Sequence, residues 1–308
     1  MIPAYNPPEG YFRETLESVL RQAQGPERMQ IEVVDDCSPG VDVAALVREI
    51  AGDRIKVFRS PTNRGLAGCW NACIERARGR WVHILHQDDI LLDQFYRRFE
   101  GLFQKAPDVS AAYCRHILAD DDGHWTVLSY LERRTPGVLE DFKERLAAWQ
   151  QIQCAAAVVR RDTYVRIGGY RTDLPFVLDW EMWARIETTG TWGYVPEPGA
   201  IYRLHARSET ERLKRGGKTL VDTLEGGRLT RAHFAPDIQR RSNREFLAKF
   251  TLGVMEVATA QFVAGENAAA AKTLATFKRE FAQCGRSGEW WRLRLRVLLK
   301  SLRGGTRR

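Results

Sequence analysis

The sequence predicts a doubly wound α/β fold with a mixed sheet and a helical C-terminal extension, and three observations carry the prediction. From the start to about residue 105, short β-rich runs alternate with helical patterns, the signature of βαβ units and a parallel sheet. The run Trp81 to Asp89, WVHILHQDD, is apolar and β-branched and stops at the adjacent carboxylates Asp88 and Asp89. A buried parallel strand has that composition, and ligands of open α/β sheets sit beyond the carboxyl ends of such strands. Beyond about Arg215 helical periodicity replaces strand patterning.

The elements follow in order. A strand at Met1 to Ala4 precedes a helix with Phe12, Leu16, Val19 and Leu20 on one face. Next come the strand Ile31 to Val34, a helix around Val43 to Ile50, the strand Ile55 to Phe58, a helix from about Leu66 to Ala77, and the Trp81 strand. The first strand reads as cut short, with only Met1 and Ile2 ahead of Pro3, a pattern open to either a truncated chain or a misplaced start codon. Strands at Ala111 to Leu118, Trp125 to Tyr130 and Ile152 to Val159, with a helix near Leu139 to Trp149, extend the parallel half into a mixed sheet. A helix from about Asp179 to Thr188 and a strand near Ala200 to Leu204 complete it. Periodic stretches at Phe246 to Val263 and Ala268 to Phe281 predict an antiparallel helix pair.

At 308 residues and 44% hydrophobic, with no apolar window of about 18 residues, the chain has room for one large domain plus an appendage and is not expected to span a membrane. No secretory signal pattern opens it, so a cytoplasmic location is expected. The six cysteines form no CxxC pair, which fits buried free thiols better than a zinc or disulfide framework. The net charge of +8 favours an anionic partner. From Trp290 onward Arg292, Arg294, Arg296, Lys300, Arg303, Arg307 and Arg308 occur without an acid and alternate with Leu, Val and Trp. That is the composition of an interfacial helix facing anionic lipid, or of a terminal helix with a solvated basic side.

Asp88 stands where a metal or cofactor would bind. Oxygen ligands suit Mg²⁺ or Mn²⁺, and a metal held by one or two carboxylates fills its remaining positions with water and substrate phosphates. The rival reading makes Asp88 and Asp89 N-caps of the next helix. Three further places could converge on Asp88. Asp35 and Asp36, in VVDDCSPG, could accept hydrogen bonds from a base or ribose, or form an ordinary polar turn. Asp179, in DWEMW, has the aromatic surroundings that raise a carboxyl pKa toward that of a base, or is a helix N-terminal acid. His205, in YRLH, could complete a metal shell or be structural.

Taken in order, PAYN (Pro3 to Asn6), VVDDCS (Val33 to Ser38), NRGLAGCWN (Asn63 to Asn71), ARGRW (Ala77 to Trp81), HQDD (His86 to Asp89), GGY (Gly168 to Tyr170), LDWEMWAR (Leu178 to Arg185) and YRLH (Tyr202 to His205) resemble the family 2 glycosyltransferases. These are inverting, nucleotide-sugar-dependent enzymes of GT-A fold, and the resemblance covers residues 1 to about 210. It implies a GT-A domain at 1–214, with a nucleotide-binding half at 1–105 and an acceptor-binding half at 106–214, ahead of the extension 215–308. Position by position, it implies that Pro3, Ala4 and Tyr5 border the base, that Asp36 contacts it and that Asp35 assists. Asn63, Gly65 and Asn71 would shape the loop and helix under the nucleotide. Asp88 would hold Mn²⁺ or Mg²⁺ on the diphosphate, with His205 as a further ligand, and Asp89 would support the sugar or the metal shell. Asp179 would be the general base. The first acid of the family's D-x-D motif is His86 here, which weakens any inference about the choice of metal.

The resemblance thus implies a nucleotide-sugar donor, with UDP as the default nucleotide, and a glycan or lipid-linked acceptor in bacterial cell-surface polysaccharide synthesis. With the basic tail it also implies a peripheral place on the inner membrane face through residues 290–308. No nucleic-acid partner is expected, because the basic residues follow no recognition motif. A sugar nucleotidyltransferase would show a Gly-rich, lysine-bearing loop early in the chain, which Pro3 to Gly10 is not. A catalytically degenerate scaffold stays open.

Overall fold

The computed structural model describes residues 1–215 and 219–283. The parallel half runs β1 (Ile2–Ala4), α1 (Glu9–Leu20), β2 (Glu32–Asp35), α2 (Val43–Ala51), β3 (Lys56–Arg59), α3 (Gly65–Arg76) and β4 (Trp81–His83). β2 pairs in parallel with β1 and β3, setting Asp35 opposite Ala4 and Arg59. Although β1 is only three residues long, all three are buried. The Met1 amino group donates to the His83 carbonyl at 2.9 Å and Leu85 N donates to the Met1 carbonyl at 3.1 Å, so the chain beside β4 joins β1 in a parallel pattern. The spatial order β3-β2-β1-β4 is that of a nucleotide-binding half. α1 covers it with Phe12, Leu16 and Val19, and α2 with Val43, Leu46 and Val47. Burying each such side chain contributes about 1.5–3 kcal/mol.

The second half contains β5 (Ile90–Leu91), α4 (Phe95–Lys105), β6 (Ala111–Ala119), β7 (Trp125–Leu128), β8 (Gly137–Val138), α5 (Phe142–Ala148), a 3₁₀ turn at Cys154–Ala156, β9 (Ala157–Arg160), α6 (Arg161–Ile167), α7 (Leu178–Thr189) and β10 (Trp192–Arg203). Its sheet runs β4-β9-β6-β10-β5, with β7 on β6 and β8 on β10. β9 is antiparallel to β4 and β6 while β10 is parallel to β6, the expected mixed sheet. β10 is far longer than the strand expected at Ala200 to Leu204. Pro196 and Pro198 read as breakers, but register shifts between Val195 and Ala200 absorb them as an irregularity in the ladder. The strand expected from Ile152 begins only at Ala157, after the 3₁₀ turn. Asp88 and Asp89 do not cap a helix, since α4 starts at Phe95.

The extension comprises α8 (Glu209–Arg215), α9 (Thr219–Ala232), α10 (Pro236–Val263) and α11 (Asn267–Gln283). α10 begins ten residues before its clear periodicity, with Pro236 in the first turn, where no intrahelical N–H is needed. α10 and α11 are antiparallel, with Phe250 on Phe277 at 6.0 Å and Thr273 bonded to Gln261 at 2.9 Å. By length and composition α10 could cross a bilayer, which the search for an uninterrupted apolar window did not reveal. Its Phe246, Leu247, Phe250 and Val254 are nevertheless buried in one core with Trp180 and Trp183 of α7. Of the cysteines, Cys69, Cys73, Cys114 and Cys154 are buried and free, and Cys37 is free and half-buried. Cys284 and the basic stretch 290–308 lie outside the described residues.

Candidate active site

A cleft of about 1540 Å³ opens at the carboxyl ends of β1, β2 and β4. Pro3, Ala4, Tyr5, Asp36, Asn63, Gly65, Asp88, Asp179 and His205 all line it, although they are drawn from segments scattered over two hundred residues. Asp35, Asn71 and Asp89 do not border it.

At one end, Pro3 and Ala4 form a buried floor and Tyr5 stands exposed at the lip. The Gln87 amide holds the Tyr5 backbone from both sides, accepting from its N–H at 2.7 Å and donating to its carbonyl at 3.3 Å. Asp36 accepts from the backbone N–H groups of Arg64 at 2.8 Å and Gly65 at 2.9 Å, the turn that starts α3. Asn63 braces that turn by donating to the Asp36 carbonyl, and Gly65 adopts φ +72°, which favours glycine. Burial pushes the Asp36 carboxyl up, against the two N–H groups that stabilise its charge. Asp35 is occupied differently. Its carboxylate accepts from Ser38 N and Oγ and from Arg59 Nη1 at 2.7 Å, so it ties the turn after β2 to β3 from behind the cleft.

At the centre, His205 Nε2 meets Asp88 Oδ2 at 2.8 Å. His205 is 5% exposed, and its Nδ1 is buried without a hydrogen-bond partner. A carboxylate oxygen and an imidazole nitrogen side by side on a cleft wall are a donor set that fits a divalent cation. His86, Asp88 and Asp89 likewise offer ligand atoms within 4.8 Å of one another. Arg203 organises this wall: its Nε donates to the Asp88 carbonyl at 3.2 Å, it pairs with Glu14, and its guanidinium lies 4.2 Å over the Tyr11 ring. Of the two roles expected of Asp89, direct contact with the sugar does not match its position outside the cleft lining, whereas its carboxylate does lie with His86 and Asp88. Asp89 has no exposure, accepts from Arg203 N at 3.1 Å and faces His86 Nδ1 at 3.2 Å, so it fastens β10 beneath the cleft. His86 lies on Trp70, ring centres 4.8 Å apart.

At the far end, Asp179 sits in the first turn of α7. Its Oδ1 accepts from Trp180 N at 2.7 Å, and its Oδ2 accepts from the Gln150 side-chain amide. Burial pushes its carboxyl up to about 6, with those two donors and His86 opposing. A carboxylate of that basicity still ionises at neutral pH and is a stronger base than an exposed one. Asn71, on α3, does not border the cleft. Its amide donates to the Tyr170 carbonyl at 2.9 Å and accepts from Tyr170 N at 2.7 Å, stapling the GGY turn to α3.

Sequence reasoning missed Arg203, Gln150, Gln153, Trp149 and Arg207. Arg207 lines the cleft beside the His205 turn, is exposed, and makes no ion pair among the described residues. Arg203 and Arg207 flank His205 in RLHAR, which was the available signal. The glutamines, at the end of an unremarkable helix, offered none.

Residues 1–165 match the family described as Glycosyl transferase family 2. An uncharacterized protein of Mycobacterium tuberculosis is 30% identical over 240 residues, covering 72% of this chain and 71% of that protein. The succinoglycan biosynthesis protein ExoO of Rhizobium meliloti is 38% identical over 98 residues, which cover 32% of this chain but only 27% of that protein. Among solved structures, Staphylococcus aureus TarS in complex with UDP superimposes with a TM-score of 0.61 at 15% identity, covering 80% of this chain and 69% of that one. At that identity the likeness shows the fold, a GT-A-type α/β architecture.

Proposed function

The chain belongs to glycosyltransferase family 2, and on that premise we propose that it moves a sugar, with inversion, from a UDP-sugar to a hydroxyl of a glycan or lipid-linked acceptor in bacterial cell-surface polysaccharide synthesis. One observation carries the reading: the Asp88–His205 pair and Asp179 line a single cleft whose other end is floored by Pro3, Ala4 and Asp36.

The residues divide the work by position. Pro3, Ala4, Tyr5 and Asp36 receive the base and ribose. Asp88 and His205 would hold Mn²⁺ or Mg²⁺, and that cation would supply positive charge against the diphosphate. Arg207 adds a fixed cation at the same wall. Asp179 accepts the proton of the acceptor hydroxyl as its oxygen bonds to the anomeric carbon, and the bond from that carbon to the phosphate oxygen breaks. UDP leaves with the electron pair, and no covalent sugar–enzyme bond forms. General-base assistance of this kind is worth about 10²–10⁴-fold. The structure of TarS with UDP supports the choice of nucleotide by analogy of fold. The basic, apolar composition of residues 290–308 supports binding to the anionic inner face of the membrane; deleting them should abolish co-sedimentation with phosphatidylglycerol vesicles, and retained binding refutes the assignment.

Calorimetry of the purified chain with UDP, dTDP and GDP, with and without Mn²⁺, tests the reading. Metal-dependent binding of UDP alone supports it, binding of another nucleotide corrects the donor, and binding of none favours a degenerate scaffold.

A further inference from the structure

The cleft is larger than one donor requires. Sites for a single small ligand or cofactor measure about 300–1,000 Å³, against about 1540 Å³ here. The same cleft that holds Asp36 and the Asp88–His205 pair also takes in residues around Asp179. The walls there differ in chemistry from the rest. Trp149 ends α5 in an extended conformation, which turns the chain out of the helix just before Gln150. Its ring packs on Trp180 at 6.2 Å and on Phe246 at 6.1 Å, yet it stays partly exposed and lines the cleft. Phe176 is the second such wall, half-buried against the same core and fixed by its N–H bond to Asp222 at 2.8 Å. Two amides, Gln150 and Gln153, line the same cleft. Gln150 is engaged with Asp179, whereas the Gln153 side chain, half-buried in the cleft, makes no hydrogen bond to any described residue.

From this arrangement we infer that Trp149, Phe176 and Gln153 form the acceptor subsite, and that it seats a neutral sugar ring carrying the reacting hydroxyl toward Asp179. The inference rests on the glycosyltransfer reading of the cleft. A sugar has an apolar face of ring C–H groups and an equator of hydroxyls that both donate and accept. A half-exposed indole meets the first and a primary amide, with both capabilities, meets the second. A phosphate-bearing group would call for available cations, whereas Arg212 and Lys214 of the cleft lining are already paired with Glu209 and Glu211, and an acyl chain would leave the Gln153 amide desolvated and unpaired, at a cost of about 1–3 kcal/mol. A lipid attached to the acceptor therefore lies outside this subsite, with its sugar end inside.

The test is saturation-transfer NMR on the full chain loaded with UDP and Mn²⁺, using the methyl β-glycosides of glucose, galactose, N-acetylglucosamine and mannose as probes. At least one glycoside should take up saturation at its ring protons. Gln153→Ala and Trp149→Leu should each cut that signal by about fivefold, the loss expected for one hydrogen bond or one stacking face. UDP affinity of each variant, measured alongside, reports that it is folded, and Gln153→Ala alone carries the test if Trp149→Leu fails to bind UDP. UDP binding with no glycoside signal, or full signal in folded variants, overturns the subsite while leaving the donor reading intact. Failure of the wild-type chain to bind UDP overturns both.

Discussion

His205 Nε2 lies 2.8 Å from Asp88 Oδ2, a contact between side chains 117 positions apart that closes the middle of the cleft. It joins the end of β10 to the turn after β4, and Arg203 doubles the link through the Asp88 carbonyl. If the pair holds a divalent cation, removing the imidazole weakens the cation without emptying the base pocket. His205→Ala should lower Mn²⁺-dependent UDP affinity by about tenfold or more. Metal-free UDP affinity should not change, and calorimetry at several Mn²⁺ concentrations reads both.

Asp179→Asn keeps the shape of the first turn of α7 and removes the base. Transfer should fall by about 10²–10⁴-fold while UDP binding holds. In the parent protein the carboxyl pushed up to about 6 must be ionised to work, so kcat/KM should fall as pH drops through about 6 and level off above it. A pH–rate profile with no acid limb in that range removes Asp179 from the role.

Gln150 donates to Asp179 Oδ2 and so favours the charged carboxylate. Its loss raises the Asp179 pKa further. Gln150→Ala should move the acid limb to higher pH and lower the rate at pH 6 by at least about threefold, with a smaller loss at pH 8. A uniform loss across pH would mean that the amide acts on the acceptor alone.

Glu187, 7% exposed on α7, has its carboxyl pushed up to about 7 by burial, with Lys143 opposing. The folded state thus prefers the protonated form. The contribution to stability is complete below the unfolded value of 4.5 and is lost as pH rises through about 7. Glu187→Gln should raise the thermal midpoint at pH 8, by a gain on the order of 1–3 kcal/mol, and leave it unchanged at pH 4.5.

Asn71 holds both backbone groups of Tyr170, itself 3% exposed. Asn71→Ala leaves them unpaired in the interior, which should cost about 2–3 kcal/mol in urea unfolding. If the residue instead contacted the nucleotide, UDP affinity would fall with little change in stability.

Much of this was legible in the chain. The alternation of strand and helix patterns placed β1 to β4 and α1 to α3 to within a few residues, because the helices bury an apolar face and β1 and β2 are buried throughout. The family motifs then marked the residues at the strand ends. The pattern failed where packing overrode a local rule: Pro196 and Pro198 sit inside β10 because its pairing with β6 shifts register on either side of Pro198, which itself pairs with Arg115. Helices α4 and α6 gave no distinct signal of their own.

By itself the sequence determined the doubly wound half, the mixed sheet beyond it, the helical extension and the family, since these follow from periodicity and from motif order. The motif order also marked Asp36 and Asp88 as the leading member of each acidic pair, and tertiary structure decided what the other member does. After β2, Asp36 lines the cleft while Asp35 turns to Ser38 and Arg59; after β4, Asp88 lines it while Asp89 turns to Arg203 N. Neighbouring carboxylates are chemically identical in a sequence. Their directions are set by the alternation of side chains at a strand end and by which long-range donor satisfies the buried one, and that donor can be more than a hundred residues away.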